Sequence, residues 1–119
     1  MEGKLPPQIE QQIRQLQQFE VQLQNILTQK QQLQLELGDI ETALKYLQEA
    51  KDDVKLFKSV GSLLIEGTKE KVMNELKEKK DLIDLRLKTL QKQEEKIRSR
   101  IEELRSSIKG LLDARGIGG

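Results

Sequence analysis

The 119-residue sequence contains no cysteine, no histidine and no tryptophan, and only three of its residues are aromatic. Without cysteine there can be no disulfide framework, no thiol catalysis and no iron–sulfur cluster. Without histidine the chain lacks the usual general acid–base residue and, with cysteine also absent, the common ligands of zinc and haem iron. We therefore expect a protein that is not an enzyme and binds no metal or other cofactor.

The chain also lacks a charge excess of either sign, since 21 basic residues balance 20 acidic ones. A dedicated nucleic-acid-binding protein shows a clear basic excess, and this chain has no aromatic side chains interleaved for base stacking. It has no apolar run of about eighteen residues that could span a bilayer and no signal-peptide pattern. We expect a cytoplasmic protein that binds neither nucleic acid nor membrane.

The sequence instead predicts long helices. A low content of aromatic residues together with a high content of Leu, Glu, Lys and Gln is typical of coiled coils. The first helix is predicted over about residues 8–52, with Pro7 in its first turn. Its apolar residues alternate in steps of three and four, which predicts a heptad seam. The seam positions are Ile9, Gln12, Leu16, Phe19, Leu23, Ile26, Lys30, Leu33, Leu37, Ile40, Leu44, Leu47, Lys51 and Val54.

A second helix is predicted over about residues 69–112, with Thr68 as its N-cap and a flexible Gly-containing tail at 113–119. Its charged residues indicate a solvated face with local pairs such as Glu75–Lys79 and Glu94–Arg98. Its seam positions are Met73, Leu76, Lys80, Ile83, Leu87, Leu90, Glu94, Ile97, Ile101, Leu104, Ile108 and Leu111.

Two features of these seams leave alternatives open. Twelve of the 27 residues from Gln8 to Gln34 are glutamine; such a tract could be disordered, but the heptad spacing favours a helix with the glutamines mostly outside the seam. Lys30, Lys51, Lys80 and Glu94 interrupt the seams. They either set the register of the helix pair or lay their stems along the seam with their charges in water.

The connection between the helices predicts a β-hairpin at about residues 54–66, with strands near 54–59 and 63–66 and a turn at Gly61-Ser62. Because a lone two-stranded hairpin is marginal in water and has two open edges, we expect it to pair with other chains. The alternative is a simple apolar loop. The residues predicted for oligomerisation are Val54, Leu56, Phe57, Val60, Leu63, Leu64 and Ile65.

The two helices have matched lengths of roughly 68 and 65 Å at 1.5 Å per residue, so the chain should fold back as an antiparallel coiled-coil hairpin. The far end of that coiled coil cannot fully cover its own side chains. An exposed apolar patch there would bind apolar partners. The residues predicted for this patch are Leu5, Ile9, Ile13, Ile108, Leu111, Leu112 and Ile117.

Four stretches carry a more specific resemblance: LPPQ at 5–8, QKQQLQLEL at 29–37, KSVGSLLIEGT at 58–68 and LKEKKDLIDLRLKTLQKQEEKI at 76–97. With the order helix, hairpin, helix, they resemble the β subunits of the prefoldin family, particularly the archaeal type. The resemblance covers roughly residues 5–110. It implies one prefoldin-like domain over residues 1–119, mainly α, whose hairpin joins others in an oligomeric β-barrel platform.

The resemblance further implies an ATP-independent holding chaperone built from two α and four β subunits. Its coiled-coil tips would hold non-native client proteins and deliver them to a group II chaperonin. The alternative function is a dimeric coiled-coil tether or adaptor, which both seams would serve equally well. A tether leaves the apolar hairpin unexplained, and it predicts a dimer of the isolated chain.

Overall fold

The computed structural model describes residues 5–116. Its elements are helix α1 at Pro7–Glu49, strand β1 at Leu56–Val60, strand β2 at Leu63–Gly67 and helix α2 at Lys69–Ala114. Two long helices with an antiparallel β-hairpin between them confirm the predicted fold class. The β-barrel that would form from several chains stays a prediction, as does the assignment of residues 1–119 to one domain.

Helix α1 ends at Glu49, three residues earlier than expected. Asp52 and Asp53 explain the early end, because acidic side chains are unfavourable beside the negative pole at a helix C-terminus. The carbonyl of Ala50 accepts a hydrogen bond from Lys69 Nζ at 2.8 Å, which satisfies one of the backbone acceptors that the helix end leaves open. Strand β1 begins at Leu56, two residues later than expected.

Helix α2 begins after Thr68, whose Oγ1 accepts a hydrogen bond from the Lys71 amide at 3.2 Å. This is the N-cap geometry expected from the sequence. The helix continues to Ala114, two residues beyond the predicted end, and a turn at Arg115 and Gly116 follows. Ile117 and the rest of the predicted tail lie outside the described residues.

The chain forms two compact units. The terminal unit holds the described residues up to Lys30 together with those from Thr89 onward, and the hairpin unit runs from Gln31 to Lys88. In the terminal unit Phe19 lies beside Leu104 and Ile26 beside Ile97. Because the residue numbers along α2 fall as those along α1 rise, the two helical segments of this unit run antiparallel.

The seam predicted from heptad spacing is the covered face of both helices. Every seam position from Ile9 to Leu47 and from Met73 to Leu111 is buried or half-buried, whereas Lys51, beyond the end of α1, is exposed. Hydrophobic side chains on this face supply the core. Among the described residues, no helix is apolar over a long enough stretch to cross a membrane.

Candidate functional site

The β-hairpin is closed by the two-residue turn Gly61-Ser62, with Val60 paired to Leu63 on either side. Gly61 has a φ of 58°, and no described residue other than glycine has a positive φ. A two-residue turn with positive φ only at its first position is the type II′ turn, which matches the twist of antiparallel strands. Glycine adopts this φ without the steric penalty that a side chain would bring.

The strand register sorts the hairpin side chains onto two faces, because cross-strand partners point the same way. The first face carries Leu56, Lys58, Val60, Leu63 and Ile65, and the second carries Phe57, Ser59, Leu64 and Glu66. Apolar side chains are exposed on both faces, most of all Leu64 at 73% on the second face and Leu63 at 64% on the first. Contiguous exposed apolar area of this kind is typical of interaction surfaces.

The first face is the one tied to the helices of the hairpin unit. Lys58 Nζ lies 2.8 Å from Glu75 Oε2 of α2, and a Cβ on Gly67 would lie 3.1 Å from Val72 Cγ2. Val54, two residues before β1, and Leu56, the first residue of β1, are half-buried. The predicted oligomerisation set thus divides into two half-covered residues near the helices and five exposed ones along the strands. None of these observations tests their role in oligomerisation.

The described residues of the predicted client-binding set all belong to the terminal unit, but not all of them are exposed. Ile9 is only 2% exposed and Ile108 is 9% exposed, because both are seam residues covered by the facing helix. The expected exposure at the open end is therefore wrong for these two. Leu5, Ile13, Leu111 and Leu112 are half-buried and form the accessible part of the set, while Ile117 lies outside the described residues.

A charged layer crosses the seam of the terminal unit. Lys30 Nζ donates to Glu94 Oε1 at 2.7 Å and to Gln91 Oε1 at 2.7 Å. Arg98 Nε donates to Glu94 Oε2 at 2.8 Å. The hydrogen bond from Lys30, followed by that from Arg98, lowers the pKa of Glu94. Lys30 and Glu94 therefore act as partners inside the seam instead of reaching separately into water.

The described residues contain no group of three or more His, Cys, Asp or Glu side chains that could hold a metal ion. The hollows of the terminal unit are shallow grooves beside the seam. One is lined by charged residues that include Glu20, Arg98, Glu102 and Arg105. Two others are lined on their α1 side mainly by amide side chains.

Comparison with known proteins agrees with this architecture. The family model described as "Prefoldin subunit" matches residues 10–115. The chain is 44% identical to the prefoldin subunit beta of Methanothrix thermoacetophila, with 94% of this chain and 93% of the relative covered. It is also 44% identical to the prefoldin subunit beta of Archaeoglobus fulgidus, covering 92% and 95% of the two chains.

A solved structure shares the fold. The crystal structure of the prefoldin beta subunit from Thermococcus strain KS-1 aligns with a TM-score of 0.83 and 38% sequence identity. The alignment covers 92% of this chain and 96% of that one. The similarity extends over the helices and the hairpin together, so it does not rest on the coiled-coil repeat alone.

Proposed function

Because the chain belongs to the prefoldin family, as a subunit of the β type, we propose that it serves an ATP-independent holding chaperone. The proposed complex contains two α and four β subunits, captures non-native proteins at its coiled-coil ends, and delivers them to a group II chaperonin in the cytoplasm. The observation that carries the proposal is that one chain has two separate apolar surfaces: the exposed hairpin and the half-buried open end.

The hairpin supports the assembly part of the proposal. A β-sheet of two strands leaves both edges without main-chain partners, and here apolar side chains are exposed on both of its faces. Strands from neighbouring subunits would satisfy the edges and cover these side chains. A barrel has no open edges, which makes it a suitable end state for such hairpins.

The open end supports the capture part. Leu5, Ile13, Leu111 and Leu112 offer a small apolar area, so a single contact with an unfolded client should be weak. Several such ends on one platform raise the effective concentration, and avidity can strengthen binding by about 10²–10⁴. Release then needs no nucleotide, because each contact can dissociate separately.

The test is to replace the four accessible open-end residues, Leu5, Ile13, Leu111 and Leu112, with Ser in one variant. A matched control replaces Val21, Leu35, Leu82 and Leu85, four exposed apolar residues elsewhere on the helices, with Ser. Binding of fluorescein-labelled, reduced and carboxymethylated α-lactalbumin is measured for both in complex with an α subunit. We expect the open-end variant to assemble but lose capture while the control retains it; equal capture by both variants would contradict the proposal.

A further inference from the structure

Six amide side chains form a continuous line along α1 in the terminal unit. They recur at alternating steps of four and three residues, which keeps them on one flank of the helix beside the seam. All six are exposed. The line, called here the amide flank, consists of Gln11, Gln15, Gln18, Gln22, Asn25 and Gln29.

The opposite flank of the same helix has a different composition. The equivalent line there mixes Glu10 and Glu20 with apolar Ile13 and Leu27 and with Gln17 and Gln24. Its groove is also lined by Arg98, Glu102 and Arg105 of α2. Solvation alone would be served equally well by charges on both flanks, so the concentration of neutral amides on one of them calls for a specific explanation.

The amide flank forms one wall of a groove with an apolar floor. Gln15, Gln18 and Gln22 line a hollow with Phe19 and Leu104. Gln22 also belongs to the next hollow, which Asn25 and Gln29 line with Ile26 and Ile97. Because Gln22 is shared, the two hollows lie side by side along the helix.

The α2 wall of this groove is close to neutral where the two hollows are described. Gln93 and Ser107 carry no charge, and Arg100 Nη1 lies 3.5 Å from Glu103 Oε2, so these two charges offset each other. Lys96 adds one positive charge. Such a groove favours a ligand that is itself neutral, with apolar side groups and many hydrogen-bonding groups.

An extended polypeptide has that chemistry. Each backbone unit presents one N–H donor and one C=O acceptor, and each side-chain amide offers both a donor and an acceptor in return. From Gln15 to Gln29 the groove runs roughly 21 Å at 1.5 Å per residue, enough for about six residues of extended chain at about 3.3 Å each.

We propose that the amide flank and its groove bind the backbone of an extended segment of non-native polypeptide. The inference rests on the proposed holding function and adds a second contact surface to it. The apolar floor receives side chains of the segment, and the amides hydrogen-bond its main chain. Because main-chain groups are common to all polypeptides, this contact holds clients without selecting a sequence.

One test replaces Gln15, Gln18 and Gln22 with Ala, which removes three amides without adding charge or apolar bulk. The matched control replaces Gln17, Gln24 and Gln31 with Ala, three exposed glutamines outside the amide flank. Binding of the labelled, carboxymethylated α-lactalbumin is measured for each variant in the assembled complex. We expect the flank variant to bind about tenfold more weakly and the control to bind like the native chain. Equal affinities for the two variants would overturn the inference.

A second test isolates the backbone contribution. The probes are a soluble peptide of about twelve residues with Leu, Ala and Ser side chains, and the same peptide with alternate backbone nitrogens methylated. Methylation should weaken binding to the native chain by about tenfold and have little effect on the flank variant; an equal effect on both proteins would overturn the inference. Failure of the native complex to capture any client would contradict the proposed function. Loss of capture by the open-end variant but not by the flank variant would leave the proposed function in place and contradict the binding role of the amide flank.

Discussion

Lys30 and Glu94 meet across the helix seam, with Lys30 Nζ 2.7 Å from Glu94 Oε1. Their side chains are only 18% and 11% exposed, and Arg98 occupies the second carboxylate oxygen. A charge placed among Leu and Ile side chains is costly unless it is paired, so each residue needs the other. The pair is therefore a point at which the two helices recognise each other.

Removing one member of this pair should destabilise the protein more than removing both. Lys30→Leu leaves Glu94 with Arg98 alone, and we expect a loss of about 2 kcal/mol, below the usual range for a fully buried pair because the site is partly exposed. The double variant Lys30→Leu/Glu94→Leu should match or exceed the native stability. Urea unfolding followed by circular dichroism measures both. A double variant as unstable as the single one would refute the coupling.

The lowered pKa of Glu94 predicts a loss of stability in acid. Since the folded-state pKa lies below that of the unfolded chain, the stabilisation is complete above the unfolded value and disappears as the pH falls through the folded one. The relevant window therefore lies below about pH 4.3. Because other carboxylates also titrate there, the melting temperatures of the native chain and of Glu94→Gln are compared. The difference between them at pH 7 should shrink by pH 3, and a constant difference would contradict the assignment.

Two glycines should respond to alanine in opposite directions. At Gly38, within α1, an added Cβ meets nothing within 4 Å, so Gly38→Ala should stabilise the helix by about 1 kcal/mol. At Gly61 the φ of 58° disfavours a side chain, and Gly61→Ala should destabilise the hairpin by about 1 kcal/mol. Thermal melting of the two variants under the same conditions measures both effects. A stabilised Gly61→Ala variant would contradict the turn assignment.

The exposed second face of the hairpin should be required for assembly. Phe57→Ser/Leu64→Ser removes the two apolar side chains of that face while keeping the Gly61-Ser62 turn. We expect the variant to keep its helical signal in circular dichroism but to form smaller species with an α subunit, as measured by light scattering. Val21→Ser/Leu35→Ser, which changes two exposed apolar residues of α1, serves as the control and should assemble normally.

The sequence was sufficient to predict the parts of the fold that depend on local periodicity. The heptad steps located every buried position of both helices, and the β-forming residues around Gly61-Ser62 located the hairpin. The resemblance of residues 58–68 and 76–97 to prefoldin β subunits predicted the family that the comparisons established. These features could be found because each is encoded within a few turns of chain.

Features that depend on contacts distant in sequence could not be predicted. The hydrogen bond from Lys69 to the Ala50 carbonyl, just after the end of α1, joins residues 19 positions apart. Glu75 and Lys79 looked like a local pair, but Glu75 lies against Lys58 and Lys79 against Glu36. The ion pair between Lys30 and Glu94 could not be predicted without knowing the register of the two helices.

The most direct test of the account is to mix the chain with an α subunit, measure the mass of the product, and then follow aggregation of a chemically denatured protein without ATP. The account predicts a stable complex of two α and four β subunits that suppresses the aggregation. A complex of that mass with no effect on aggregation would contradict the holding function, and a simple dimer of the isolated chain that ignores the α subunit would favour a coiled-coil tether.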